Sequence, residues 1–219
     1  AFADTWCIEN GNITVKAGDT EGTNKVSQGS IIDREDTNTI ITNSDKDTAS
    51  SNTVTIDAGN DKVEVTLDNV NIKAGSGSAL TSKGDVTLTL KGDNHLTGGI
   101  SDTGNYGRNG IASTGSLTIS GGSTVTANGG NGGNVSGDGI SSNGSVTISG
   151  GTVKAAGGDS KDGYGGDGIR SDGGVTISGN TVNAAGGSGG KVGGYGICSF
   201  DRVAISGGTV EAAGGNGST

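Results

Sequence analysis

Asp138-Gly139-Ile140-Ser141-Ser142-Asn143-Gly144-Ser145-Val146-Thr147-Ile148-Ser149-Gly150-Gly151-Thr152-Val153 is one phrase of a repeat. Its Ile-x-Ser and Val-Thr-Ile pieces alternate apolar and small polar residues, as half-buried strands do, and Gly punctuates the gaps between them. The phrase opens again at Asn109-Gly110-Ile111, Asp167-Gly168-Ile169 and Tyr195-Gly196-Ile197. Its middle piece recurs as Leu117-Thr118-Ile119, Val175-Thr176-Ile177 and Val203-Ala204-Ile205, and its third as Thr124-Val125, Thr181-Val182 and Thr209-Val210. Each unit then enters a loop opened by Gly129-Gly130, Gly157-Gly158, Gly186-Gly187 or Gly214-Gly215. The repeat isoleucines are spaced by 29, 29 and 28 positions. Short period-2 segments at a fixed repeat, with no window of helical periodicity, describe coils of a solenoid. The expected fold is therefore all-β, a right-handed single-stranded parallel β-helix of about seven coils.

Alternation places Ile111, Ile140, Ile169 and Ile197 inside, stacked at about 4.8 Å per coil, with Ser113, Ser142, Ser171 and Ser199 also inward. Ala112, Ser141, Arg170 and Cys198 then face outward. Earlier coils are looser: Ala79-Leu80 matches the Gly-Ile position, and Val65-Thr66-Leu67 and Leu88-Thr89-Leu90 match the middle strand. Segments around Ile13, Ile31-Ile32, Ile40-Ile41 and Val54-Ile56 read as irregular turns of the same rod. Residues 51–219 are thus the regular coils and 4–50 an N-terminal cap with irregular first coils, while Ala1-Phe2-Ala3 reads as a signal-peptide remnant and points to secretion. The Gly-rich end at 214–219 brings no capping element, and an uncovered solenoid end offers unpaired strand edges to another chain.

Composition narrows the function classes. Of 219 residues 47 are Gly, none Pro, and aromatics make up 3%, so the core must be narrow and filled by Val and Ile. A net charge of −9 with 14 basic residues leaves no electrostatic footprint for nucleic acid. No apolar run approaches the length of a membrane-spanning helix.

The Asp138 and Asp167 phrases resemble a family of secreted bacterial carbohydrate-binding proteins, in which Asp-Gly-Ile … Gly-x-Leu/Val-Thr-Ile-x-Gly-Gly-x-Val marks each coil of a parallel β-helix. The resemblance spans about residues 60–215 and implies calcium and plant cell-wall polysaccharides, including acidic ones, as ligands. This chain has Ser141 and Arg170 where that family usually carries His or a similar residue, and Asn109 and Tyr195 replace the Asp in two units.

Of 23 acidic residues 18 are Asp, the short carboxylate that suits turns and hard cations. Asp138 and Asp167 stack one coil apart, with Asp159 and Asp162 in the loop leading to the second. Read functionally they hold one Ca²⁺; read structurally they cap Gly turns through the backbone. Tyr106, Val135, Tyr164 and Val192 each precede a repeat Ile by five positions. Turned outward, the two tyrosines form a stacking platform for sugar rings, joined by Tyr195 and Arg170; turned inward, the column fills the core where the loop closes, and the alternation with Val favours the core. The Thr66, Thr89, Thr118, Thr147 and Thr176 column needs only β-propensity to explain it.

Catalysis finds no constellation. His95 is the lone His, and Arg170 with Asp167 and Asp172 reads as a turn salt bridge. Cys7 and Cys198 sit near opposite ends, too far apart for an internal disulfide, but head-to-tail stacking of rods would join them between subunits. The expectation is a non-catalytic extracellular or cell-surface protein that binds polysaccharide with calcium assistance. Its rival is an adhesin-like structural subunit of a self-assembling filament.

Overall fold

The computed structural model describes residues 4–218, so the signal remnant at 1–3 lies outside the described residues. It is almost entirely β, a solenoid of about six turns of ~29 residues. Strands stack on three faces. The first carries Ile13–Ala17, residues 54–57 and 80–83, Ile111–Thr114, Ile140–Ser142, Ile169–Ser171 and Ile197–Ser199. The second carries Thr5–Cys7, Ile40–Thr42, residues 62–68 and 85–91, Leu117–Gly121, Val146–Ile148, Val175–Ile177 and Val203–Ile205. Asn71–Lys73, Asp93–Thr97, Thr124–Asn128, Thr152–Ala156, Thr181–Ala185 and Thr209–Ala213 form the third. The long strands Val54–Asp68 and Leu80–Lys91 turn the corner between the first two faces and join them into one sheet.

Inside, Ile111, Ile140 and Ile169 stack fully buried, as alternation requires. Ser113, Ser142 and Ser171 are buried beside them, and their hydroxyls find glycine carbonyls rather than one another. Ser142 Oγ donates to Gly115 O (2.8 Å) and Ser171 Oγ to Gly144 O (2.7 Å), each tying one coil to the corner of the coil before it. A buried hydroxyl is thereby satisfied without breaking the ladder.

The Gly-rich loops close each turn from third face to first. Gly130 N–H donates to Arg108 O (2.8 Å), Gly137 to Gly130 (2.9 Å), Gly158 to Gly137 (2.8 Å), Gly166 to Gly158 (2.9 Å), Gly187 to Gly166 (2.8 Å) and Gly194 to Gly187 (2.8 Å). The result is a hydrogen-bonded glycine ribbon running along the rod. A Cβ on Gly166 would overlap the Gly137 carbonyl, so only glycine permits this approach.

Three expectations are corrected. Ile31-Ile32 is no coil: Asn24–Gln28 and Ile31–Asp36 form an antiparallel hairpin on the edge of Ile13–Ala17, with Val26 buried in the core and Ile32 71% exposed, which also lowers the number of turns. The middle strand of the earlier coils is shifted by two residues. Val86-Thr87-Leu88 stacks on Leu117-Thr118-Ile119, and Val63-Glu64-Val65 stacks on Val86-Thr87-Leu88. Both registers turn the same face inward, because side chains alternate with period two. The Thr rank is consequently Thr87, Thr118, Thr147 and Thr176, ending at Glu64 and Ala204.

The two ends differ. At the first, Trp6 is buried and its indole Nε1 donates to the buried Asp36 (2.8 Å), whose other oxygen accepts the Asp4 N–H (3.0 Å). In the last coil Val203 and Ile205 are 44% and 52% exposed, whereas Val175 and Ile177, one coil earlier, are 1% and 0%.

Gly166→Ala should destabilise the fold by about 3 kcal/mol, since the clash is with backbone that cannot rotate away. Gly122, which has open space where a Cβ would go, should tolerate Ala within about 0.5 kcal/mol. Urea denaturation of both variants checks the contrast.

Candidate functional site

The glycine loops protrude as a ridge beside the first face. At its crest Tyr106, Val135, Tyr164 and Val192 stack through successive parallel bridges. All four are outside the core, exposed by 50%, 40%, 49% and 52%, which overturns the inward alternative for this column. The ribbon below explains it: glycine backbones already fill the space where the loop closes, and side chains at the crest have nowhere to turn but out. Lys191 extends along Tyr164, with its Nζ 6.0 Å from the ring centroid.

Between this ridge and the first face runs a groove of about 400 Å³ lined by Val135, Tyr164, Val192, Asp138, Asp167, Arg170 and Tyr195, among others. The five candidate ligand-binding residues among them, Asp138, Tyr164, Asp167, Arg170 and Tyr195, therefore share one site, and Tyr106 continues its crest one coil beyond. Asp159 and Asp162 do not line it. Cys7 and Cys198 are both free and lie on the first and last coils, with Cys7 Sγ accepting from Ser44 Oγ (3.3 Å). Phe200 escaped the sequence reading. It follows the last first-face strand, two positions after Cys198, and Arg170 Cζ stands 4.8 Å from its ring centroid.

The aspartates form a ladder. Asn109 Oδ1 accepts the Asp138 N–H (2.8 Å), Asp138 Oδ1 the Asp167 N–H (2.7 Å), and Asp167 Oδ1 the Tyr195 N–H (2.8 Å). Each coil caps the next at the same corner. Arg170 Nη1 lies 3.7 Å from Asp167 Oδ2, the turn salt bridge expected from the sequence. Burial, reinforced by the Asp167 charge, pushes the Asp138 carboxyl up to about 6, against the pull of the Asp167 N–H, Arg170 and the Ser141 hydroxyl. Burial also raises the Cys198 thiol, with the Asp167 carboxylate adding to the effect.

This donor set does not fit calcium. A Ca²⁺ site needs six to eight converging oxygens, whereas one oxygen of each aspartate is committed to a backbone N–H and a guanidinium stands beside Asp167. Asp159 belongs to a second ladder, accepting the Ser188 N–H (2.8 Å) while its own N–H goes to Asn131 Oδ1 (2.8 Å). Among the described residues no three His, Cys, Asp or Glu side chains converge as a metal site would require.

A larger hollow of about 800 Å³ lies at the N-terminal end, lined by Asp19, Glu21, Asp61, Lys62 and Glu64 among others. No aromatic side chain lines it. The smaller groove combines apolar crest, aromatic faces and a fixed cation, the combination that recognises a ligand with both apolar and hydroxylated surfaces.

No protein-family description, no curated protein and no solved structure matches the chain.

An acid held above its ordinary range in the fold gains stability when protonated. The Asp138 contribution is therefore greatest below about pH 4 and is lost as pH rises through about 6. Asp138→Asn, which keeps the acceptor as Asn109 does, should stabilise the protein at pH 7.5 by about 1–3 kcal/mol. That gain should vanish near pH 4, as measured by denaturation of wild type and variant across the range.

Proposed function

We propose that this is a non-catalytic, extracellular protein that binds polysaccharide along the groove beside its loop ridge. The observation that carries the reading is the exposed Tyr106–Val135–Tyr164–Val192 crest, held in register by backbone pairing and flanked by Tyr195 and Arg170. A sugar ring presents C–H groups on its faces and hydroxyls at its rim, so it stacks on an aromatic plane while its edge meets hydrogen-bonding groups. The crest offers the first, and Arg170, Asp138 and Ser141 the second.

The direction of binding follows from the repeat. Equivalent side chains recur along the rod axis, so a polymer lying parallel to that axis meets Tyr106 and Tyr164 about 10 Å apart. A polymer crossing the rod would meet only one. His95 is on the third face, hydrogen-bonded to Asp93 (3.1 Å), and does not line the groove, which favours binding over chemistry.

Assembly through the ends is the second reading, for which Cys7 and Cys198, both free and partly exposed, are the candidate link between subunits. Head-to-tail joining of Cys198 to Cys7 has to contend with a first coil whose Trp6 is already covered. A reducible ladder on a non-reducing gel would establish it.

Affinity electrophoresis against a panel of soluble plant cell-wall polysaccharides tests the main reading. Tyr164→Ala and Tyr195→Ala should each weaken retention by about tenfold, from losing about 1–1.5 kcal/mol of stacking. Tyr164→Phe should keep it. Equal retention by all three variants would remove the groove from the account.

A further inference from the structure

A carboxylate-bearing chain and an uncharged one need different partners from a groove. A uronate calls for free positive charge or free N–H donors, whereas a neutral sugar calls for groups that trade hydrogen bonds with hydroxyls. The charged side chains lining this groove are Asp138, Asp167 and Arg170, one negative charge in sum. The one guanidinium is already committed: Arg170 Nη1 stands 3.7 Å from Asp167 Oδ2, with the Phe200 ring against its Cζ. Lys191 lies along Tyr164 and does not line the groove. Most backbone donors are committed too. The Gly107 and Gly165 N–H groups donate to Val135 O (2.8 Å) and Val192 O (2.9 Å), and those of Asp138, Asp167 and Tyr195 are capped along the ladder. A ligand is met by the Ser141, Tyr164 and Tyr195 hydroxyls, the Asn109 amide and the carboxylate oxygens that the ladder leaves over.

We infer that the groove takes an uncharged, hydroxyl-rich polysaccharide and rejects an acidic one. This rests on the polysaccharide reading and adds the class of chain to it. A uronate laid on the crest would bring its carboxylate to a pair of aspartates whose neighbouring cation already has a partner, and like charges brought together at an interface suppress binding. The net charge of −9 adds a field that opposes the approach of any polyanion. A neutral sugar meets no such repulsion. Its hydroxyls donate to the carboxylate oxygens and accept from the tyrosine, serine and amide groups. Asp138 and Asp167 are thereby specificity-determining residues. Asn109 makes the same cap with no charge, so the ladder requires only an acceptor, and the aspartates' charge acts on the ligand.

The experiment is affinity electrophoresis of the full chain at pH 7.5, above the Asp138 titration near 6, in low salt with EDTA so that no divalent ion bridges protein and polymer. The probes are polygalacturonate, its carboxyl-reduced neutral form and a panel of neutral cell-wall polysaccharides. Wild type should be retained by at least one neutral polymer, and about tenfold or more weakly by polygalacturonate, a gap that narrows as salt is raised. Asp138→Asn combined with Asp167→Asn keeps both caps, turns the lining from one negative to one positive charge and frees Arg170. That double variant should hold polygalacturonate about tenfold more tightly than wild type does. The comparison of polymers on wild type alone keeps the test readable if the variant fails to fold. Polygalacturonate retained by wild type as well as the neutral polymers are would overturn the inference and leave the polysaccharide reading standing. A folded double variant that still rejects polygalacturonate would overturn it too, since charge would not be what discriminates. Retention by no polymer at all would remove the polysaccharide reading, and this inference with it.

Discussion

The approach of one glycine backbone to the next, coil upon coil, is the constraint on which the rest of this molecule rests. Strand ladders hold three faces together, yet the turn that returns the chain from third face to first is held by the ribbon through Gly130, Gly137, Gly158, Gly166, Gly187 and Gly194. Its N–H groups and carbonyls satisfy one another along the axis, as buried backbone must. Because only hydrogen stands where these residues would otherwise carry a Cβ, the loops stack at the same pitch as the strands, and whatever stands at their crest inherits that pitch. Regular spacing of Tyr106, Val135, Tyr164 and Val192 is therefore a property of the glycines beneath them.

The groove puts two kinds of order side by side. Its crest is apolar and exposed, a state that a soluble surface tolerates only in small patches. Its floor is a column of side-chain acceptors, each stitched to the backbone of the next coil. Asp138 is the uneasy member. It is buried enough for its proton to be held more tightly than in an ordinary carboxyl, beside a second carboxylate and within reach of one guanidinium. On the reading proposed above, a ligand in the groove would meet hydrogen-bonding groups already oriented by the backbone, which limits the ordering cost of recognition.

Much of the fold was legible in the sequence because a solenoid writes its period into the chain. The 29-residue spacing of Ile111, Ile140 and Ile169 predicts the coils, and the alternation around them predicts the buried serines. The two-residue slip at Val86-Thr87-Leu88 was not legible, since a period of two cannot tell a register from its next even neighbour. Ile31-Ile32 misled for a related reason: an apolar pair suits a hairpin edge as well as a coil. The orientation of the tyrosine column escaped because loops carry no alternation from which to read inside and outside. The aspartate column shows the ambiguity of short acids, which suit a turn cap and a metal alike until the direction of each N–H is known. Phe200 gave no signal at all, lying outside the repeat phrase while serving Arg170 across coils.

Every strand on the three faces runs parallel to the one stacked on it, so the rod has a direction along its axis as well as a period. The groove takes its asymmetry from that direction: Tyr106 and Val135 begin the crest, while Arg170, Tyr195 and Phe200 stand on its later coils. An otherwise repetitive surface thereby has a front and a back.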